Sequence, residues 1–299
     1  MNDGFARLEA SVRAAARRRV PPVALARFRD GALAWTPPIA IEALRRLRRE
    51  WEFVAGDWPQ ETGWESAGVV SSYRAALTSI SAAMTPTGPL GVPLEPLPGS
   101  PPEREDPAAH NLALTFGYVL ARAAGGRRAL SILDWGGGLG AYQLLARALL
   151  PETELEYHCK ELPAVVAAGR AAMPAVTFHT DDGCLEREYD LVVVSSSLQY
   201  ERDWPALLER LARATGRFLF VARLPVTPSG RPFLIRQHPA RYGYATTYSG
   251  WVLTRVALVE RAVRAGLSLE REFLADPGFT VPRAPGPVES RSYLFTCAS

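Results

Sequence analysis

The stretch Ser131-Ile-Leu-Asp-Trp-Gly-Gly-Gly-Leu-Gly140 constrains this chain more than any other, because it sets an acid at the end of an apolar run directly ahead of alternating glycines. Ile132 and Leu133 read as a buried strand that delivers Asp134. Gly136, Gly138 and Gly140 then let the backbone turn sharply and approach a ligand with no Cβ in the way. The segment Ala141 to Leu150 reads as a helix whose first N–H groups point at whatever occupies the turn. Strand, glycine turn and helix together predict an open α/β sheet with a cofactor site at the strand's carboxyl end.

Asp134 discriminates between cofactors. A dinucleotide fingerprint, G-x-G-x-x-G/A, can be laid on Gly136, Gly138 and Ala141, but a pyrophosphate gains nothing from a carboxylate at the turn. S-adenosylmethionine carries no phosphate. It brings an ammonium, a sulfonium and a ribose with two hydroxyls, so an acid beside open backbone suits it. The glycines alone would equally make a plain strand-to-helix turn.

Composition bounds the rest. With 299 residues, 47% hydrophobic and 22% charged, the chain reads as an ordinary soluble globular protein. The formal charge of +3 is carried almost entirely by arginine, with Lys160 the single lysine, which gives no nucleic-acid footprint. One denser run, Arg13 to Arg19, reads as a solvated helix face, with an acidic partner surface as the alternative. Cys159, Cys184 and Cys297 lack CxxC spacing, so neither a metal site nor a disulfide framework is expected. No stretch approaches the ~20 apolar residues of a membrane span and the N-terminus lacks the apolar core of a secretory signal, so a cytoplasmic location is expected.

A passage from Thr85 to Pro107 holds Pro86, Pro89, Pro93, Pro96, Pro98, Pro101, Pro102 and Pro107, a density that excludes helix and sheet interiors. Residues 85–107 therefore read as a linker or irregular loop between a mostly helical N-terminal region, 1–84, and a second region, 108–299. In the first, Ile41, Leu44, Leu47 and Trp51 recur at helical spacing. Thr62, with Glu65 three residues on, reads as the cap of a helix running through Tyr73, Leu77 and Ile80. After the linker, a helix over 108–124 leads into strands 131–134, 154–160, 175–179, 189–195 and 216–223, alternating with helices 141–150, 163–172 and 203–214. A helix near 251–265 and strands near 267–274 and 291–297 follow. This pattern predicts a doubly wound, Rossmann-like, mainly parallel seven-stranded sheet, its last two strands free to pair antiparallel.

Ligands in such sheets sit at the carboxyl ends of strands. The second strand ends at Glu161, whose carboxylate can accept both hydroxyls of a ribose, or can simply start the next helix. Asp181 and Asp182 follow the third strand and suit an adenine amine, or an Asp-Asp-Gly turn. The fourth strand ends in Ser195-Ser-Ser-Leu-Gln-Tyr200. Ser196 and Ser197 there would allow close approach of a cofactor, and Gln199 and Tyr200 would orient a substrate; the alternative is an ordinary loop with a serine cap. After the fifth strand an aromatic loop carries Tyr242, Tyr244, Tyr248 and Trp251, which either wall a pocket for a ring-bearing or sugar-like acceptor or glue the loop down. Of four histidines, His158 reads as a satisfied core residue. His238, then His110, are the candidate bases if the acceptor is a hydroxyl.

Asp134-Trp-Gly-Gly-Gly-Leu-Gly140 matches the D/E-x-G-x-G-x-G pattern of class I methyltransferases. Together with Glu161-Leu-Pro-Ala-Val-Val166, Ser195 to Tyr200 and Tyr248-Ser-Gly-Trp251, it resembles a family of bacterial methyltransferases, assigned by similarity and often encoded near surface-polysaccharide or secondary-metabolite genes. The resemblance reaches upstream through Phe53 to Trp58 and Trp64 to Ala67. It implies the class I fold, with an antiparallel last strand, and use of S-adenosylmethionine. Where many members carry an Asp-Arg-Thr-like element, this chain reads Ala222-Arg-Leu224, so Arg223 is kept as a substrate-side candidate. Glu161-Leu-Pro163 is similar to the Asp-Leu-Pro of small-molecule O-methyltransferases.

The expectation is therefore methyl transfer from S-adenosylmethionine to a small molecule, on a hydroxyl of a sugar or natural-product intermediate, without a metal, a nucleic acid or a membrane. An NAD(P)-dependent oxidoreductase and a non-catalytic S-adenosylmethionine-binding accessory protein stay open.

Overall fold

Consecutive apolar residues in a strand point to opposite faces, so a strand that is apolar throughout must be covered on both sides. Four strands state this directly. Leu191 and Val193 face one core with Ile132, Phe218, Phe220 and Leu294, while Val192 and Val194 face the other with Leu133, Leu219, Val221, Tyr293 and Phe295. The computed structural model describes residues 50–59, 63–84, 90–91, 93–94, 106–228, 230–239, 242 and 246–298. All belong to one compact unit, Glu50–Ser299. The basic run Arg13 to Arg19, the spacing from Ile41 to Leu47, the cap at Thr62 and most of the proline passage lie outside the described residues.

In chain order the elements are β1 (Trp51–Val54), α1 (Ala67–Ala83), α2 (Pro107–Ala124), β2 (Ala129–Trp135), α3 (Ala141–Leu149), β3 (Glu154–Lys160), α4 (Pro163–Ala172), β4 (Thr177–His179) and β5 (Tyr189–Ser195). They continue with α5 (Trp204–Arg213), β6 (Thr215–Thr227), β7 (Phe233–Gln237), β8 (Tyr248–Thr254), α6 (Arg255–Arg264), β9 (Leu267–Phe279) and β10 (Val288–Cys297). Short 3-10 turns cover Asp182–Glu186 and Leu198–Tyr200.

Seven strands form the main sheet in the order β4-β3-β2-β5-β6-β10-β9. The first five pair in parallel, and β10 lies antiparallel between β6 and β9. The seven strands and the reversed last one agree with the sequence expectation. Helices start where caps are available. The Asp106 carboxylate accepts from the Ala108 N–H at 2.9 Å with Pro107 at the first helical position, and α2 ends on Gly125 in the left-handed conformation. Ser66 caps α1, its Oγ accepting from the Val69 N–H at 3.4 Å.

Two expectations are corrected. Trp51 begins a strand, and the helix expected from residue 251 starts only at Arg255. Tyr248 to Thr254 instead form β8, which pairs antiparallel with β7, itself antiparallel to β1. This second sheet joins the main one where Val226 and Thr227 run alongside Leu253 and Thr254. The aromatic and β-branched run Tyr248, Trp251, Val252 favours strand once a partner edge exists, and its core of Phe233, Ile235, Val252, Val281 and Val288 is separate from the two main ones. Thr254 marks the switch to helix, its Oγ1 accepting from the Ala257 N–H at 3.1 Å. No helix among the described residues is long and apolar enough to cross a membrane.

Candidate functional site

The carboxyl ends of β2, β3 and β5 lie side by side, and the glycine turn follows the first of them. Gly136, Gly138 and Gly140 have φ of +71°, +60° and +82°, a backbone conformation that L residues rarely adopt. Space is restricted too. A Cβ on Gly136 would fall 2.6 Å from the Ser197 Cβ, and one on Gly137 would overlap the Asp134 carboxylate. Gly137, which the alternating pattern leaves unspecified, is thus the tightest position: Asp134 curls back beneath it.

A cavity of about 240 Å³ opens above this edge. Its base is Trp135 and Gly136 from β2, Lys160 and Glu161 at the end of β3, and Ser196 and Ser197 after β5. Leu162 and Val165 at the start of α4 and Leu207 of α5 form its sides, while Trp64, Val69, Tyr73, Tyr200 and Glu201 close it over.

Glu161 is fixed in this base by backbone. Its Oε1 accepts from the Gly138 N–H at 3.0 Å and its Oε2 from the Leu162 N–H at 2.8 Å. Burial raises its pKa, with those two N–H groups working in the opposite direction. Each oxygen keeps a lone pair for a further donor. Lys160 lies with its Nζ 4.6 Å from the centre of the Trp135 ring and 3.5 Å from Asp182 Oδ1. Ser196 holds φ at +51°, strained for a residue with a side chain, and its N–H donates to the Ala222 carbonyl at 3.0 Å. Ser197 Oγ donates to the Trp135 carbonyl at 2.7 Å.

The structure brings Gly136, Glu161, Ser196, Ser197 and Tyr200 to this cavity, and the other described candidates do not line it. Asp134 does not line the cavity. It is fully buried, its Oδ2 accepts from the Tyr157 hydroxyl at 2.8 Å, and its Oδ1 has no hydrogen-bond partner among the described residues. Desolvation pushes its pKa up to about 7, against the Tyr157 hydrogen bond, with the nearby Glu161 charge adding to the rise. Gly138 and Gly140 shape the turn from behind: Gly138 lies under the Tyr73 ring, and Gly140 packs on Val176.

Asp181 caps its own turn, accepting from the Gly183 N–H at 2.9 Å, and Asp182 is held by Arg210 at 2.7 Å as well as by Lys160. Neither aspartate lines the cavity. Gln199 is buried away from it. Arg223 sits at a bulge, where Ala222 and Arg223 together face Ser292; its φ of +53° and its N–H on Ser292 Oγ at 3.1 Å are the geometry of that bulge.

Of the aromatic candidates, the described Tyr242, Tyr248 and Trp251 pack against other rings and do not line the cavity. Tyr248 is buried with its ring stacked 3.8 Å from Trp64, and Tyr242 packs in the same cluster. Trp251 leans on Trp58 and donates from Nε1 to the Arg202 carbonyl at 3.2 Å. Tyr244 lies outside the described residues. These rings back up Trp64 and Tyr200, which do line the cavity; the Tyr200 hydroxyl donates to Gln237 Oε1 at 2.8 Å.

Both candidate bases are elsewhere. His110 is exposed on α2, and His238 has its Nε2 3.3 Å from Glu52 Oε2 on the small sheet. His158 is the satisfied core residue expected, with ring nitrogens 2.8 Å from His179 Nε2 and 3.0 Å from Glu156 Oε1.

Sequence reasoning missed Tyr73, Lys160 and Glu201 as cavity residues and assigned no role to Trp64. A signal existed for Lys160, the one lysine in an arginine-rich chain. None existed for Tyr73, which read as part of a helix face.

No protein-family model matches the sequence, and no curated protein matches it. Among solved structures, the chain is similar to class I S-adenosylmethionine-dependent methyltransferases, including sugar and natural-product enzymes. One is magnesium protoporphyrin IX methyltransferase from Synechocystis with bound S-adenosylhomocysteine, at 17% identity over 64% of this chain and 85% of that one, TM-score 0.43. Another is 1,6-didemethyltoxoflavin-N1-methyltransferase from Burkholderia thailandensis, at 16% identity over 83% and 95%, TM-score 0.43. A third is a sugar N-methyltransferase from Streptoalloteichus, at 15% identity over 63% and 87%, TM-score 0.40.

Proposed function

We propose that this chain is an S-adenosylmethionine-dependent methyltransferase acting on an oxygen of a small molecule, a sugar or natural-product intermediate. The observation that carries this reading is Glu161, clamped by the Gly138 and Leu162 N–H groups in the base of a cavity at the glycine turn. A carboxylate so fixed, with lone pairs left over, suits two adjacent ribose hydroxyls.

The residues present fit the cofactor. Asp134 Oδ1, buried without a hydrogen-bond partner among the described residues, lies beneath the turn, where a positive charge above it would favour its ionised form. The ring surfaces of Trp64, Tyr73 and Tyr200 suit a planar base and a cationic centre. The same carboxylates oppose a pyrophosphate, which counts against the dinucleotide alternative.

S-adenosylmethionine supplies an electrophilic methyl group on a sulfonium, so the protein's task is alignment and exclusion of water. Glu161 would hold the ribose, the Gly136 backbone would allow close approach, and Ser196 and Ser197 would border the reacting centre. Trp64, Tyr73 and Tyr200 would shield it from solvent. If the acceptor is a hydroxyl, its proton has to leave, and Glu201 is the carboxylate at the exposed rim.

Binding and turnover are tested separately. Calorimetry with S-adenosylhomocysteine and, in parallel, NADH is expected to give heat with the first alone. Incubation with methyl-labelled S-adenosylmethionine and a deproteinised metabolite extract is expected to label a small molecule. Binding without any labelled product would favour an accessory protein over an enzyme.

A further inference from the structure

We infer that Asp134 carries a proton in the free protein and gives it up when a cationic ligand settles above the turn, so that cofactor binding releases a proton and tightens as pH rises. This goes beyond the proposed function and rests on it for the identity of the ligand.

The first observation is burial without compensation. Asp134 is fully buried under Gly137, where an added Cβ would overlap its carboxylate. Among the described residues its one hydrogen bond comes from the Tyr157 hydroxyl, at 2.8 Å to Oδ2, and Oδ1 has none. A carboxylate taken out of water with a single neutral donor is disfavoured against its protonated form. Burial accordingly pushes the group up to about 7.

The second observation is the set of groups around it. β3 supplies Tyr157 and Cys159, whose hydroxyl and thiol burial holds well above their usual range. The end of that strand supplies Glu161, whose negative charge opposes ionisation of Asp134. Tyr142 of α3 has its hydroxyl 2.8 Å from Ser195 Oγ of β5, and Tyr73 of α1 lies over Gly138. Alternate residues of a strand face opposite sides. Lys160 therefore lies away from Asp134 and Tyr157, against Trp135 and Asp182, and its charge acts on Glu161. The carboxyl group of Asp134 thus has a second carboxylate near it and no cation bonded to it among the described residues.

The third observation is exposure to charge across the turn. Gly137 covers Asp134 and its neighbour Gly136 lines the cavity, so no side chain of residues 136–138 screens the carboxyl group from a charge there. S-adenosylmethionine brings a sulfonium and an ammonium. With such a charge in place, the carboxyl O–H bond breaks, its electron pair stays on oxygen, and the proton passes to the buffer. On the acid side of the pH at which the free group titrates, binding then releases a proton, and affinity climbs with pH until that point is passed. Tyr157 is a positioning residue: its hydroxyl holds the carboxylate under the turn and favours the ionised form.

Calorimetric titration with S-adenosylmethionine in buffers of different ionisation enthalpy counts the protons released without any turnover. At pH 6 the wild type is expected to release at least about half a proton more than Asp134→Asn, and at pH 8.5 the excess should fall below about 0.2. 5′-Methylthioadenosine, a nucleoside with neither positive charge, should give no such excess. Tyr157→Phe removes the donor that favours ionisation, so at pH 8 it should release about 0.3 proton or more beyond the wild type. A residue that merely packs would leave that count unchanged, and this comparison decides the matter even if Asp134→Asn does not fold. Equal counts in wild type and Asp134→Asn at pH 6, an equal excess with 5′-methylthioadenosine, or an unchanged count in Tyr157→Phe would overturn the inference. If S-adenosylmethionine does not bind the wild type at any pH, the methyltransferase reading itself fails.

Discussion

The base of the cavity and its cover are built in opposite ways. The base is drawn from neighbouring strand ends within residues 134–197: Gly137 above Asp134, Gly138 on Glu161 across 23 positions, Ser197 on Trp135 across 62. The cover joins segments more than 180 positions apart. Thr246 Oγ1 donates to the Gly63 carbonyl at 2.8 Å across 183 positions, Trp64 stacks on Tyr248, and Gln237 Nε2 donates to Glu50 Oε1 at 3.2 Å across 187. A turn that must approach a ligand leaves a local mark in glycines and an acid. A cover assembled from distant aromatics leaves only periodicity, which says that a residue is buried and not what it is buried against.

If the base is a rigid, strained unit, its largest signature is Asp134. A carboxyl moved from 3.8 to about 7 by burial binds its proton more tightly in the folded than in the unfolded state. Stability attributable to it is therefore highest below about pH 4 and falls as pH rises toward 7. The loss is on the order of 4 kcal/mol at pH 8. Asp134→Asn should remove that slope, so its melting temperature should exceed that of the wild type by more at pH 8 than at pH 5. Parallel pH profiles for the two proteins would show that the buried carboxyl is not held protonated.

Next in size is Gly137→Ala. The added Cβ meets the Asp134 carboxylate, which is fully buried and has nowhere to move. Denaturant unfolding should show a loss of about 3 kcal/mol, together with loss of S-adenosylhomocysteine binding. Wild-type stability in this variant would mean that Asp134 does not lie under the turn.

Breaking the cover should cost less. Trp64→Ala removes the stack on Tyr248 and the edge contact with Tyr200, whose ring centroid is 5.0 Å away. Because Trp64 is only half-buried, a loss of about 2 kcal/mol is expected in urea unfolding, with ligand binding weakened but retained. Complete loss of binding would make the cover as essential as the base and erase the contrast between them. The smallest effect belongs to His238→Ala. That side chain faces Glu52 at a partly exposed position, so stability should change by less than about 0.5 kcal/mol and S-adenosylhomocysteine affinity not at all.

The contrast also sorts what was legible in the sequence. The seven strands, their order of helices and the reversed last strand follow from alternation and connection length, both local properties. Glu161 was legible because a strand end fixes where its side chain must be. The direction of Asp134 was not: whether an acid before a glycine turn points at a ligand or under the backbone depends on Tyr157, on the neighbouring strand, offering a hydroxyl from below. Residues 248–254 failed for a related reason, since their strand exists only because β7 supplies an edge. His238 looked well placed because it follows the fifth strand, but β6 runs on to Thr227 and hands the chain to the small sheet, which carries that histidine to Glu52.

The most direct test is calorimetric titration of the wild-type protein and Glu161→Gln with S-adenosylhomocysteine. The variant puts an NH₂ group against either the Gly138 or the Leu162 N–H and removes one of the acceptors meant for ribose. Micromolar binding by the wild type and a loss of at least about tenfold in the variant, or about 1.4 kcal/mol, are expected. Absence of heat with the wild type, or equal affinity in the two proteins, would contradict a nucleoside site built on Glu161.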